Sequence, residues 1–251
     1  MRGEGEPVSA AIPTREKRAV TVARAILQDI RERGLPPGAH LPSEAELLAR
    51  YRVARGTLRE ALRILEVHGL IRIRFGRDGG AVVQAPTPLD FSQVLTLFLQ
   101  GLDVTVKDVL EARMAVEPLM AMLAARCDDE EKRDDLRAIL DRTTHAATWD
   151  DFTEAMGAFH TRVLSMSGNP VLDLLAVGLQ QMISYPVMAF RPKVRDAIRD
   201  DHLAIGEAIL AGDGEAAWDL MAAHMAEQQR FARYDAAFLR GPVDWRSDPT
   251  P

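Results

Sequence analysis

Residues 53–71 read VARGTLREALRILEVHGLI. Leu58, Ala61, Leu62 and Leu65 follow the i, i+3, i+4, i+7 spacing of a helix that docks one apolar stripe on a core. Arg55, Arg59 and Arg63 are spaced by four and form a ridge on the opposite side. A ridge of one sign stands idle in water, pairs with a neighbouring acid (Glu60 or Glu66 in the case of Arg59), or meets something negatively charged. The pattern predicts a short helix over 54–67 whose two faces serve different purposes.

Charge along the chain favours the third use. The net charge is −6, yet residues 1–88 carry 15 Lys+Arg against 10 Asp+Glu, which leaves 16 against 27 for the remainder. A basic front on an acidic body selects a polyanionic partner for the front alone. Eight arginines fall between Arg50 and Arg77 with only Glu60 and Glu66 as acids and no lysine. The guanidinium fork suits phosphates and guanine edges better than an ammonium does.

The flanking segments supply a context for that helix. Thr14 can cap a helix running to about Arg33, with Val20, Ala23, Ile26, Leu27 and Ile30 inward. Gly34 to Gly38 ends it, and Ser43-Glu-Ala-Glu46 is a capping box that starts a second, short helix to Arg50. Tyr51 to Ala54 is then a tight turn into the arginine helix, the helix-turn-helix arrangement. Downstream, Ile71, Ile73 and Phe75 alternate with Arg72 and Arg74, as in a half-buried strand. Gly76 to Gly80 make a turn with Arg77 at its tip, and Ala81 to Gln84 return. A hairpin in that position is a wing.

Residues 85–89, with Pro86 and Pro88, read as a linker. Beyond it the pattern is helical, at about 90–100, 105–127, 130–147, 150–167, 170–190, 193–211 and 214–239. The expected fold is mainly α: a winged helix-turn-helix domain over 14–84 and an all-α antiparallel bundle over 90–240. Residues 1–13 read as a disordered leader and 241–251 as a frayed tail. No run approaches the ~18 apolar residues of a membrane span, and the N-terminus has no signal-peptide core. Cys127, the single cysteine, has no partner for an internal disulfide, in keeping with a reducing cytoplasm.

The stretch LPSEAELLARYRVARGTLREALRILEVHGLI, residues 41–71, strongly resembles the GntR superfamily of bacterial transcription regulators. The features that carry the likeness are Leu41-Pro-Ser-Glu44, Thr57-Leu-Arg-Glu-Ala-Leu62, and Gly69-Leu70 before a Gly-tipped wing. The second half resembles the FCD domain of the FadR subfamily, through Glu111-Ala-Arg113 with Glu117, Ala124-Ala125, Phe159-His160, Ser167-Gly-Asn169, His202 and His224. The resemblance implies that Arg55, Thr57 and Arg59 read or position DNA, with Gly76 approaching the duplex at the wing; the ridge and the wing tip add Arg63 and Arg77 as DNA-binding candidates. Two positions depart from the family pattern: Ala45 stands where Arg is common, and Ala54 where Ser or Thr is.

In the second half, each of three histidines interrupts an apolar stripe. His160 lies with Phe152, Met156, Phe159 and Val163; His202 with Val194, Ile198, Ile205 and Ile209; His224 with Ala217, Leu220, Met221 and Phe231. A lone inward histidine is usually a hydrogen-bonded structural residue, but three on three helices can form a site for Zn2+ or another divalent transition metal. The FCD resemblance implies the same three ligands plus an aspartate four residues before the first. That position is Met156, and Glu154 is set to face elsewhere. Arg113 and Glu117, four apart on one inward stripe, either form a buried ion pair or, as the resemblance implies for Arg113, hold the carboxylate of a small metabolite. Arg113, Glu117 and Met156 are therefore the candidate effector contacts.

These readings converge on a cytoplasmic transcription regulator, expected to be a repressor, whose homodimer binds a palindromic operator and responds to a small carboxylate or acyl effector. A metal-free sensor of acyl-CoA or another lipid is the alternative within that class. A zinc-dependent hydrolase is the rival outside it, opposed by the lack of a general base beside the histidines and of a nucleophile motif.

Overall fold

The computed structural model describes residues 15–76, 79–183, 192–232 and 235–244. Thr14, Arg77, the leader and the last seven residues lie outside them. The chain divides into two compact units, Met1–Thr87 and Pro88–Pro251.

In the first unit, α1 (Arg15–Glu32) packs against α3 (Arg55–Val67), with α2 (Glu44–Tyr51) between them in sequence. The apolar stripes meet as their spacing demands: Ile26, Leu58, Ala61 and Leu65 are all at most 2% exposed. The capping box at Ser43 is present, with the Glu46 carboxylate accepting from the Ser43 backbone N–H at 2.8 Å. Arg52 closes α2 in the left-handed conformation (φ 50°, ψ 49°), which sharpens the turn into α3. At the far end of α3, Gly69 (φ 68°) lets the Leu70 N–H reach back to the Leu65 carbonyl at 2.9 Å.

The wing is an antiparallel pair, β1 (Ile71–Arg74) and β2 (Gly80–Val83), in register Ile71↔Val83 through Arg74↔Gly80. The segment 38–41 adds to the free edge of β2, which the sequence pattern did not announce. The Leu41 N–H donates to Ala81 at 2.8 Å, and Val83 donates to Ala39 at 2.9 Å. That third segment covers an edge that would otherwise be left unpaired.

The second unit contains α4 (Pro88–Gln100), α5 (Val106–Ala124), α6 (Glu130–His145), α7 (Trp149–Leu164), α8 (Pro170–Gln181), α9 (Pro192–Ala211), α10 (Gly214–Ala232) and α11 (Ala236–Arg240). α5 packs against α7, α8, α9 and α10, so its wall of Met120, Ala121 and Ala124 is fully buried. α4 runs along α8, where Gly178 leaves room for Phe91: a Cβ at Gly178 would stand 3.0 Å from the Phe91 ring.

Three boundaries differ from the sequence reading. α8 stops at Gln181 rather than near 190, the residues after Ile183 lying outside the description. The last predicted helix is two, α10 and α11. The tail is docked at its start instead of frayed: Val243 is fully buried, the Val106 N–H donates to Gly241 at 3.0 Å, and the Gln100 carboxamide donates to Val243 at 2.7 Å. A backbone that satisfies donors at the start of α5 and the end of α4 is held, whatever its composition. Among the described residues no helix is long and apolar enough to cross a membrane.

Candidate functional site

The first surface of interest is the outer face of α3. Arg55, Arg59 and Arg63 are exposed, and none forms an ion pair with a described residue. Glu66, a sequence candidate to neutralise Arg59, instead accepts the Ile73 N–H at 3.0 Å and ties helix to wing. Three guanidinium groups on one face with their charge uncompensated suit a phosphate backbone. Arg50 is different: its guanidinium pairs with Asp29 at 2.8 Å, and Tyr51 bonds the same carboxylate, so both fasten α2 to α1.

Thr57 and Phe75 turn the opposite way from expectation. Thr57 is 7% exposed, on the core side of α3 with Leu58 and Ala61, so it packs the helix rather than presenting itself to a ligand. Phe75 was expected inside by alternation, but the strand ends at Arg74 and Phe75 is 95% exposed beside Gly76. Gly76, itself exposed, has φ 109°, a conformation that disfavours any side chain there. Arg72 and Arg74 are exposed on the same strand, while Arg77 lies outside the described residues.

The second site is inside the bundle. α7, α9 and α10 carry His160, His202 and His224 inward, each at most 3% exposed. One ring nitrogen of each lies within 4.8 Å of the others. Two rings are fixed by carboxylates: the Nδ1 of His160 donates to Glu117 at 2.7 Å, and the Nδ1 of His224 donates to Asp201 at 3.0 Å. Each of those rings then carries its lone pair on Nε2, facing the centre. Phe159 stacks on His202 with ring centroids 4.1 Å apart and so sets that ring's plane.

Arg113 and Glu117 form the buried ion pair that their spacing allowed, Nε donating to the carboxylate at 2.5 Å. Glu117 engages Arg113 through one oxygen and His160 through the other. Burial works to raise its carboxyl, but the charge of Arg113 and then His160 holds it well below the usual carboxylate range. Burial pushes His160 below the ordinary histidine value despite Glu117. It pushes His202 much further down, with His224 and His160 adding to the effect. Neutral imidazoles are the form that binds a transition metal.

The donor set fits such an ion. Tetrahedral ligands of zinc stand roughly 3.3 Å apart, and the Nε2 atoms of His202 and His224 are separated by 3.2 Å. Lone pairs that close repel unless a hydrogen or a cation lies between them. Among the described residues, the buried Nδ1 of His202 has no hydrogen-bond partner, so nothing commits that ring to one tautomer. Carboxylates behind His160 and His224 are the outer shell that orients metal-binding imidazoles.

Met156 is buried with Phe152 and Ile198, and supplies no carboxylate. Glu154 is exposed and pairs with Arg142 at 3.6 Å, outside the centre as expected. Leu220 is 38% exposed and does not share the inner face of His224; the side chain of Phe231 is outside the description. Two members were missed by sequence reasoning. Asp201 precedes His202 in the chain but serves His224 on another helix, a pairing that no local pattern encodes. Gln228 had a signal, its i+4 spacing from His224, and is 9% exposed at the centre.

Comparison with known proteins matches a family to each of the two units. Residues 18–82 match the bacterial regulatory proteins of the gntR family, and residues 108–227 match the FCD domain. The HTH-type transcriptional regulator Rv0494 of Mycobacterium tuberculosis is 34% identical over 206 residues, covering 80% of this chain and 82% of that one. The putative L-lactate dehydrogenase operon regulatory protein of Escherichia coli is 29% identical over 208 residues, 78% of this chain and 79% of its own. Among solved structures, a GntR protein of Streptococcus agalactiae superposes with a TM-score of 0.63 at 26% identity, over 84% of this chain and 99% of that one. These relatives are DNA-binding regulators and not enzymes, which removes the hydrolase reading. An arginine-faced winged helix-turn-helix followed by a helical FCD domain places this chain in the GntR family of bacterial transcription regulators.

Proposed function

We propose that the protein is a cytoplasmic, homodimeric repressor whose FCD domain binds a divalent transition metal and, through it, a small carboxylate effector. The observation that carries this reading is the buried triad His160, His202 and His224, with two of its rings held by carboxylates so that their lone pairs face inward. Those three residues would hold the ion, and when bound it supplies a Lewis-acidic point to which a carboxylate oxygen is drawn. Arg113, held by Glu117 behind His160, is the candidate to draw the effector's carboxylate, and Met156 adds an apolar contact one turn before His160.

On the DNA side, Arg55 and Arg59 would read the major groove, Arg63 would take a phosphate, and Gly76, the exposed Phe75 and the sequence candidate Arg77 would meet the duplex at the wing. A second copy is needed because one short helix and one wing offer little contact area. Exposed Leu97 and Phe98 on α4 and Val171 on α8, two helices packed together, support a self-pairing face there. The effector acts by binding one arrangement of the two heads better than the other.

The test combines metal analysis of the purified dimer, after zinc is supplied, with gel-shift titrations on its own upstream promoter fragment against a panel of small carboxylates. Stoichiometric zinc and a carboxylate-dependent change in operator affinity, both lost in His160→Ala, are expected. Absence of zinc, or an unchanged effector response in His160→Ala, overturns the metal-centred reading.

A further inference from the structure

The position that the FCD resemblance assigns to a carboxylate is Met156 here, yet the space between the imidazoles is shared by another polar group. Gln228 lies one turn beyond His224 on α10, on the same face, and is 9% exposed. Its carboxamide nitrogen stands 2.6 Å from the Nε2 of His224 and 3.5 Å from the Nε2 of His160.

The chemistry of the two rings decides how that amide faces them. Because each donates its Nδ1 hydrogen to a carboxylate, each presents a lone pair on Nε2. A carboxamide oxygen turned toward two lone pairs would be repelled, so the NH2 side faces them without a cation. The lone pair of His224 is then approached from two directions, by Gln228 and by His202 at 3.2 Å. One in-plane lone pair accepts one good hydrogen bond. With that bond taken by Gln228, His202 with its hydrogen on Nδ1 turns a third lone pair to the centre, and a cation would satisfy all three.

We propose that Gln228 is the fourth member of this centre: its NH2 caps His160 and His224 when no cation is present, and its carboxamide oxygen is the fourth ligand when one is. The claim rests on the reading of the triad as a cation site. It also has a consequence for the effector. With three neutral imidazoles and a neutral amide, no directly bound anion offsets the ion, so the centre favours an anionic partner from outside more than a site with a bound carboxylate would.

The test measures zinc affinity of the full-length protein by competition with a chromogenic chelator, for wild type, Gln228→Ala and Gln228→Glu, with folding checked by circular dichroism. Gln228→Ala is expected to bind zinc about tenfold or more weakly, the usual scale for loss of a supporting group at a metal site. Gln228→Glu is expected to bind it more tightly than wild type, because it supplies the missing anion, and this variant decides the matter if the alanine variant does not fold. Equal or tighter zinc binding by Gln228→Ala, with wild type binding zinc, overturns the role of Gln228 while leaving the triad intact. If neither wild type nor Gln228→Glu takes zinc, the cation reading itself falls and this claim with it.

Discussion

Arg55, Arg59 and Arg63 stand exposed and unpaired with any described acid, whereas Arg113 and Glu117 are 2% and 1% exposed and bonded to each other. The first unit leaves its charge in water, where desolvation costs nothing until a polyanion arrives. The second has already desolvated its charges, so they cannot be separated cheaply and instead fix the ring of His160. A surface built to capture needs available charge; a centre built to discriminate needs charge that is committed.

The contrast can be broken most forcefully from inside. Glu117→Ala leaves Arg113 buried without that carboxylate and frees His160, so a loss of about 3–5 kcal/mol in stability is expected in chelator-treated protein. Urea denaturation measures it, and a loss below ~1 kcal/mol would mean that the buried pair is replaceable by water. Next in size, the double variant Arg55→Ala, Arg59→Ala should keep its melting temperature but lose roughly 1–3 kcal/mol of operator affinity per arginine. Fluorescence anisotropy at two salt concentrations checks it; a parallel loss of stability would show that the ridge is structural after all. The smallest effect concerns the turn between α2 and α3. Arg52→Gly should stabilise the protein by about 0.5–1 kcal/mol, because the left-handed backbone strain of a side chain exceeds the entropy that glycine adds to the unfolded chain. An unchanged or lowered melting temperature would contradict that balance.

Much of the first unit could be read from local pattern because its elements are short and amphipathic. Leu58, Ala61 and Leu65 needed only helical spacing, and Ser43 with Glu46 only a capping rule. What escaped was set by pairing across the chain. Segment 38–41 becomes part of the sheet only because β2 offers an open edge, and Phe75 loses its inward side because the strand ends one residue earlier. In the bundle, the inward histidines announced themselves by interrupting apolar stripes, but their partners did not. Asp201 and Glu117 matter through imidazoles on other helices, and the only local signal of Gln228 was its i+4 spacing from His224.

The docked segment at Gly241 to Val243 ties down α4, the first helix after the linker, through the Gln100 side chain. Residues 241–243 thus act as a latch between the end of α4 and the start of α5. Trimming the chain ahead of Val243 would loosen that α4–α5 joint without altering a single residue of the arginine ridge or the histidine centre.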